Sequence, residues 1–257
     1  MIFRVEIFFR RLASLFNRSE QAIRLLRLPH SRGTATAPGV IMVQIDGLSL
    51  SQFQHALKKK KMPFIRELMR KESYHLHVHY SGLPSSTPAV QGELFYGVRG
   101  AVPAFSFINK KTGKIFRMYD PDSVAEIEKL LKKKGTPLLT GGSVYTGIFS
   151  GGAEESHFCP SSLGWGSFIR AANPLVLAFL FITNIVSFIR VALLMGVEFL
   201  LAVRDCVVGL INGHNLIKEL TFVPARVGIC ILLRELITIG VKIDIARGLP
   251  IIHLNFL

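Results

Sequence analysis

Val40-Ile41-Met42-Val43-Gln44-Ile45-Asp46-Gly47 is the stretch on which the reading of this chain turns. Its first six positions are largely apolar and mostly β-branched, as in a strand buried on both faces of a parallel sheet. The run stops at Asp46-Gly47. An acid therefore stands at the carboxyl end of a strand, the edge at which open α/β sheets hold their ligands.

Downstream, the pattern predicts a helix around 49–57, the charged run Lys58–Lys61, and a second helix opening at Met62-Pro63 and continuing through Phe64, Ile65, Leu68 and Met69. A strand is expected at about 74–80, with His75, His77 and His79 on one face. That spacing permits metal binding but more often marks the wetter side of an edge strand. Residues 103–119 read as a hairpin turning at Asn109-Lys110-Lys111-Thr112-Gly113. Asp120-Pro121-Asp122 then caps a helix to Lys134, ended by Gly135, and Ser143–Phe149 is a further β-rich run between glycine pairs. Alternating strands and helices predict an α/β fold, a mostly parallel sheet flanked by helices, over residues 40–159.

Upstream, residues 31–39 are small and turn-prone, a linker. Residues 1–30 read as a basic amphipathic helix, with Ile7, Phe8, Leu12 and Leu15 at helical spacing among Arg4, Arg10, Arg11 and Arg18. Such a helix suits the headgroup region of an anionic leaflet, and equally suits packing on its own domain. It lacks the uninterrupted apolar core and small-residue cleavage site of an exported precursor.

After Cys159 the composition changes, and residues 160–247 form an apolar helical insertion. Pro174–Leu194 barely reaches the length of a tilted transmembrane helix with Arg190 snorkelling. Arg190, Glu198, Arg204 and Asp205 within one continuous pattern favour a helical hairpin lying on the membrane or docked on the domain, and membrane contact without a committed span is the expectation. A further long apolar helix is expected over 226–246, and residues 248–257 read as a returning core strand.

The 257 residues are 49% hydrophobic, ample for a buried core, and 31 Lys and Arg against 17 Asp and Glu give a net charge of +14. That surplus attracts phosphorylated solutes, nucleic acid or an anionic membrane, and no specific nucleic-acid recognition is expected. Cys159, Cys206 and Cys230 have no short-range pairing and read as buried thiols of a reducing compartment. A membrane-associated protein on the cytoplasmic side accommodates both features.

The chemistry concentrates in Pro84-Ser85-Ser86-Thr87-Pro88, which opens a helix closed by Gly97. Pro88 prefers the first helical position, leaving Thr87 as the expected N-cap, its hydroxyl where the helix dipole favours negative charge. Plain capping is the bland reading of the same residues. Glu154-Glu155 with His157 is the other group able to hold a metal, provided further ligands converge; otherwise it is a polar loop.

Taken together, Val43-Gln44-Ile45-Asp46-Gly47, Met62-Pro63-Phe64-Ile65-Arg66-Glu67-Leu68 and Pro84-Ser85-Ser86-Thr87-Pro88 resemble the alkaline phosphatase superfamily, in its type I phosphodiesterase/nucleotide pyrophosphatase branch. The resemblance covers roughly residues 40–150 and resumes at 249–257. It implies a phosphate-ester substrate and two divalent metal ions, usually zinc. Asp46 would bind one ion, and Thr87 would coordinate it and attack phosphorus, giving a phosphoryl-threonine intermediate. The family's remaining ligands, Asp-x-x-x-His, Asp-His and a late His, have no counterpart after Thr87, so the site is expected to be incomplete and the chain a truncated fragment. The alternative is a catalytically inactive, membrane-associated binding or scaffolding protein.

Overall fold

The computed structural model describes residues 17–31, 38–72, 74–83, 85–160, 182 and 185–256. Expectations placed on residues 1–16, on 32–37 of the linker and on 161–181, 183 and 184 of the insertion lie outside the described residues.

The fold is α/β, a parallel four-stranded sheet with helices on both faces. In chain order the elements are α1 (Arg18–Leu26), β1 (Val40–Ile45), α2 (Leu50–Lys58), α3 (Pro63–Lys71), α4 (Thr87–Tyr96), β2 (Ser106–Ile108), β3 (Ile115–Arg117), α5 (Pro121–Lys134), β4 (Ser143–Tyr145) and β5 (Glu155–His157). There follow α6 (Ile185–Ile211), α7 (Leu216–Val227), a π-helical segment (Gly228–Leu233), α8 (Arg234–Arg247) and β6 (Ile251–Phe256). The sheet order is β1-β6-β4-β5, every pair parallel, while β2 and β3 form a separate antiparallel hairpin.

Local sequence accounts for several element boundaries. Ser49 and Gln52 form a reciprocal capping box that starts α2. The Asp120 side chain accepts from the Ser123 amide and hydroxyl at the head of α5, and those bonds hold its carboxyl below the usual carboxylate range. Gly97 closes α4 with φ +70°, a left-handed position that a side chain would strain.

Strand alternation sorts the core into two halves. One face of the sheet carries Met42, Gln44, Val144, His253 and Asn255 towards α4 and α5, with Phe95, Val124, Leu131 and Phe149 as the apolar filling. The other face presents Tyr145, Ile252 and Leu254 to Ile237 and Val241 of α8, against which α1 also packs.

Four sequence expectations need correction. β1 is an edge strand, not one buried on both faces: β6 takes the interior place, and Val43 is 57% exposed. Residues 74–80 pair with no strand among the described residues, and every one of them is exposed, so the run has no buried face to hold it in a sheet. The run at 143–149 stops as a strand at Tyr145, where Thr146 turns the chain with φ +54°. The long apolar helix in the described residues is Ile185–Ile211, and the later helix begins at Leu216 rather than 226, widening into the π segment shortly after Pro224 removes a ladder donor.

Candidate active site

Gln91 lies at the fourth position after Thr87 on α4, and the helical period puts both side chains on the face above the carboxyl ends of β1 and β6. Thr87 is not the N-cap: Ser86 holds that position and Thr87 begins the helix, with Pro88 second, so the Ser86 backbone is extended while the Thr87 hydroxyl is free to turn towards the sheet. The Ser86 hydroxyl is buried and has no hydrogen-bond partner among the described residues.

Asp46 is where these elements meet. Thr87 Oγ1 donates to Asp46 Oδ2 at 3.2 Å, Asn255 Nδ2 donates to the same oxygen at 3.2 Å, and Gln44 Nε2 donates to Oδ1 at 2.7 Å. Gln91 Nε2 in turn donates to Gln44 Oε1 at 3.0 Å, and the Ile148 amide donates to Gln91 Oε1 at 2.7 Å. An amide N–H only donates, so this chain of bonds has one possible sense: Gln91 shows its oxygen to the loop and its nitrogen to Gln44, and Gln44 shows its oxygen to Gln91 and its nitrogen to the acid. Asp46 thus receives donors at both oxygens.

The pair opens on a cleft of about 800 Å³, lined also by His79, Ser81, Ser85 and His253. His253 is 1% exposed, edge-on to Phe95 at 4.8 Å, and neither ring nitrogen has a hydrogen-bond partner among the described residues. Burial pushes its pKa down to about 4, against the opposing pull of Asp46.

As a metal centre the site is partial. Asp46 and Thr87 converge closely enough to share one cation, and an oxygen pair suits a hard or borderline divalent ion. Zinc takes three or four protein ligands, and two ions need more than this pair. Among the described residues, the one group of three or more acidic, His or Cys side chains drawn together is Glu155, His157 and Asp244, on the other side of the sheet.

That second cluster already has its cation. Arg247 NH1 donates to Glu155 at 2.8 Å and to Asp244 at 2.9 Å, NH2 reaches the other Glu155 oxygen, and Tyr145 donates to Asp244 at 2.6 Å. His157 and Arg247 together hold the Glu155 carboxyl down to about 2, while burial and the Asp244 charge raise the Tyr145 hydroxyl. Glu155 and His157 lie on β5, so the expected polar loop is a strand whose alternate side chains join a buried ion-pair network.

Sequence reasoning missed Gln44, Gln91, His253 and Asn255. Each left a trace: a lone amide inside the apolar run 40–45, a glutamine one turn after Thr87, and polar residues alternating within the apolar run 251–257. Fold and site together define a parallel α/β protein with an acid–hydroxyl pair at the carboxyl edge of its sheet. Comparison with protein-family models, curated proteins and solved structures finds no match, so the site's own geometry carries the functional argument.

Proposed function

We propose that the chain belongs to a hydrolase of phosphate mono- or diesters in which Thr87 is the nucleophile and Asp46 a metal ligand. One observation supports this above the rest: residues 41 apart in sequence, on a strand end and a helix start, meet at 3.2 Å in an open cleft. A divalent ion at this pair would supply Lewis acidity, lowering the hydroxyl pKa and offsetting phosphate charge. The protein's part is positional. Asp46 Oδ2 accepts the Thr87 proton, leaving the hydroxyl's lone pairs for the cleft, and the first turn of α4 favours an anion beside it. Attack forms the Thr87 Oγ–P bond, the ester P–O bond breaks, and the alcohol leaves with a proton; water then hydrolyses the phosphoryl-threonine.

Three cysteines outside any disulfide and the cationic surplus suit a protein at the cytoplasmic face of a membrane. The test is hydrolysis of bis(p-nitrophenyl) phosphate and p-nitrophenyl phosphate in the presence of zinc or manganese, with Thr87→Ala beside the wild type. Unchanged turnover in the variant would exclude the assigned nucleophile.

A second reading, a catalytically inactive binding protein, is favoured by the three donors that already satisfy the Asp46 carboxylate. Zinc and manganese titrations separate the two, since this reading requires no uptake at Asp46.

A further inference from the structure

Helices α6 and α7 run back to back, joined by Asn212-Gly213-His214-Asn215. Their shared seam is small: Ala202, Cys206 and Val223 are buried there, with Leu210 packed against them. The seam is also ionic, because Arg226 donates to Glu198 and to Asp205 at 2.6 Å each, pairing both α6 acids on the side that faces α7, Glu198 largely covered and Asp205 half-exposed at its margin. The chief packing partners of α6 are α7 and the π segment, not the sheet.

Opposite the seam, α6 is apolar and bare. Ile189, Leu193, Val197 and Leu200 recur at helical spacing, and Leu193 and Leu200 are 67% and 69% exposed. Ile217 and Leu220 extend the same character onto α7. A stripe of this length, left open on a soluble surface, marks an apolar partner.

The cations decide which partner and which geometry. Arg190 and Arg204 stand on the exposed side, and Arg18 of α1 reaches Ser187 at 3.1 Å beside them. The two α6 arginines are 14 residues apart by their numbers, which at about 1.5 Å per residue is about 21 Å. A hydrocarbon core is about 30 Å thick. A helix crossing the bilayer would leave one of them inside it, at about 3 kcal/mol near the centre. Lying in the plane of the interface, both reach phosphates while the apolar stripe enters the acyl boundary.

We infer that the α6–α7 hairpin is an in-plane anchor for an anionic lipid bilayer, with Arg226 clasping the acids of α6 away from the lipid. The inference is independent of the Asp46–Thr87 chemistry.

The test is flotation of the full chain with vesicles of phosphatidylcholine and phosphatidylserine, against phosphatidylcholine alone. Binding to the anionic vesicles is expected, weakened by high salt and released by alkaline carbonate. The triple variant Leu193→Ser, Val197→Ser, Leu200→Ser changes exposed positions only and is expected to lower partitioning about tenfold or more. Arg190→Gln with Arg204→Gln is expected to remove the preference for phosphatidylserine. Wild-type chain that stays unbound, or a serine variant that floats as well as wild type, would overturn the inference. Retention through carbonate would replace the in-plane geometry by a span. A dimer in solution that the serine variant dissociates would assign the stripe to a second copy of the chain.

Discussion

The Gln91 amide nitrogen donates to the Gln44 carbonyl oxygen at 3.0 Å, and through that contact the backbone of the loop after β4 sets which way the carboxylate of Asp46 is served. Gln91 is fully buried. Replacing it with Met keeps the length of the side chain but strands the Ile148 amide and the Gln44 oxygen. Unsatisfied buried groups cost about 1–3 kcal/mol each, so Gln91→Met is expected to lose about 2–4 kcal/mol in urea unfolding.

Asp46→Asn keeps the shape of the acid and inverts half of its hydrogen bonding. An amide nitrogen accepts nothing, so either the Gln44 donor or the Thr87 and Asn255 donors lose their acceptor, and the charge that would hold a cation is gone. Manganese or zinc uptake measured by calorimetry is expected to disappear in this variant, with stability lowered by about 1–2 kcal/mol.

His253 sets a pH dependence whose sign is fixed by burial. Its folded pKa, about 4, lies below the unfolded value of 6.5, so the folded state disfavours the imidazolium. The stability is complete above pH 6.5 and is lost as the pH falls from 6.5 towards 4, by about 3 kcal/mol in all. His253→Leu is expected to remove this loss, which urea titrations at pH 7 and pH 4.5 would reveal.

Glu155 acts in a lower window. Its carboxyl is held down to about 2 from an ordinary 4.5, so its share of stability is present above 4.5 and drains as the pH falls towards 2. Glu155→Gln is expected to flatten that lower limb. It is also expected to leave divalent-metal uptake unchanged, because Arg247 occupies the space between the acids.

Gly240 allows the α8 backbone to lie against Tyr145, whose ring atoms would come within 2.6–2.9 Å of a methyl group there. Gly240→Ala therefore forces α8 off the sheet and is expected to destabilise by about 1–3 kcal/mol in thermal or chemical unfolding.

Much of the α/β order was legible in the sequence, because helix signals are local. Asp120, Pro63 and Gly97 announce their boundaries through caps and fixed dihedrals. The place of β1 was not legible: largely apolar residues on both faces describe an interior strand and an unprotected edge equally well, and each partner on Ile251–Phe256 lies 211 residues away. Asp46 and Thr87 were found because each ends or begins an element. Gln44, Gln91 and Asn255 escaped because an amide inside an apolar run acquires meaning only once strand pairing and helix placement have brought its partner. Thr87 itself was displaced by one position, since Pro88 is tolerated at the second helical residue as well as the first.

The bare outer rim of β1 has a practical corollary. Within Val40–Ile45 there is no lysine, no proline and no bulge to discourage another extended segment from laying itself alongside, and Val40, Ile41 and Val43 are each half-exposed or more. Natural rims of this kind are normally blunted. Shelf life in concentrated solution will therefore be governed by chain-to-chain strand pairing along this rim, and Val40→Lys, at an exposed position outside the cleft lining, should prolong it.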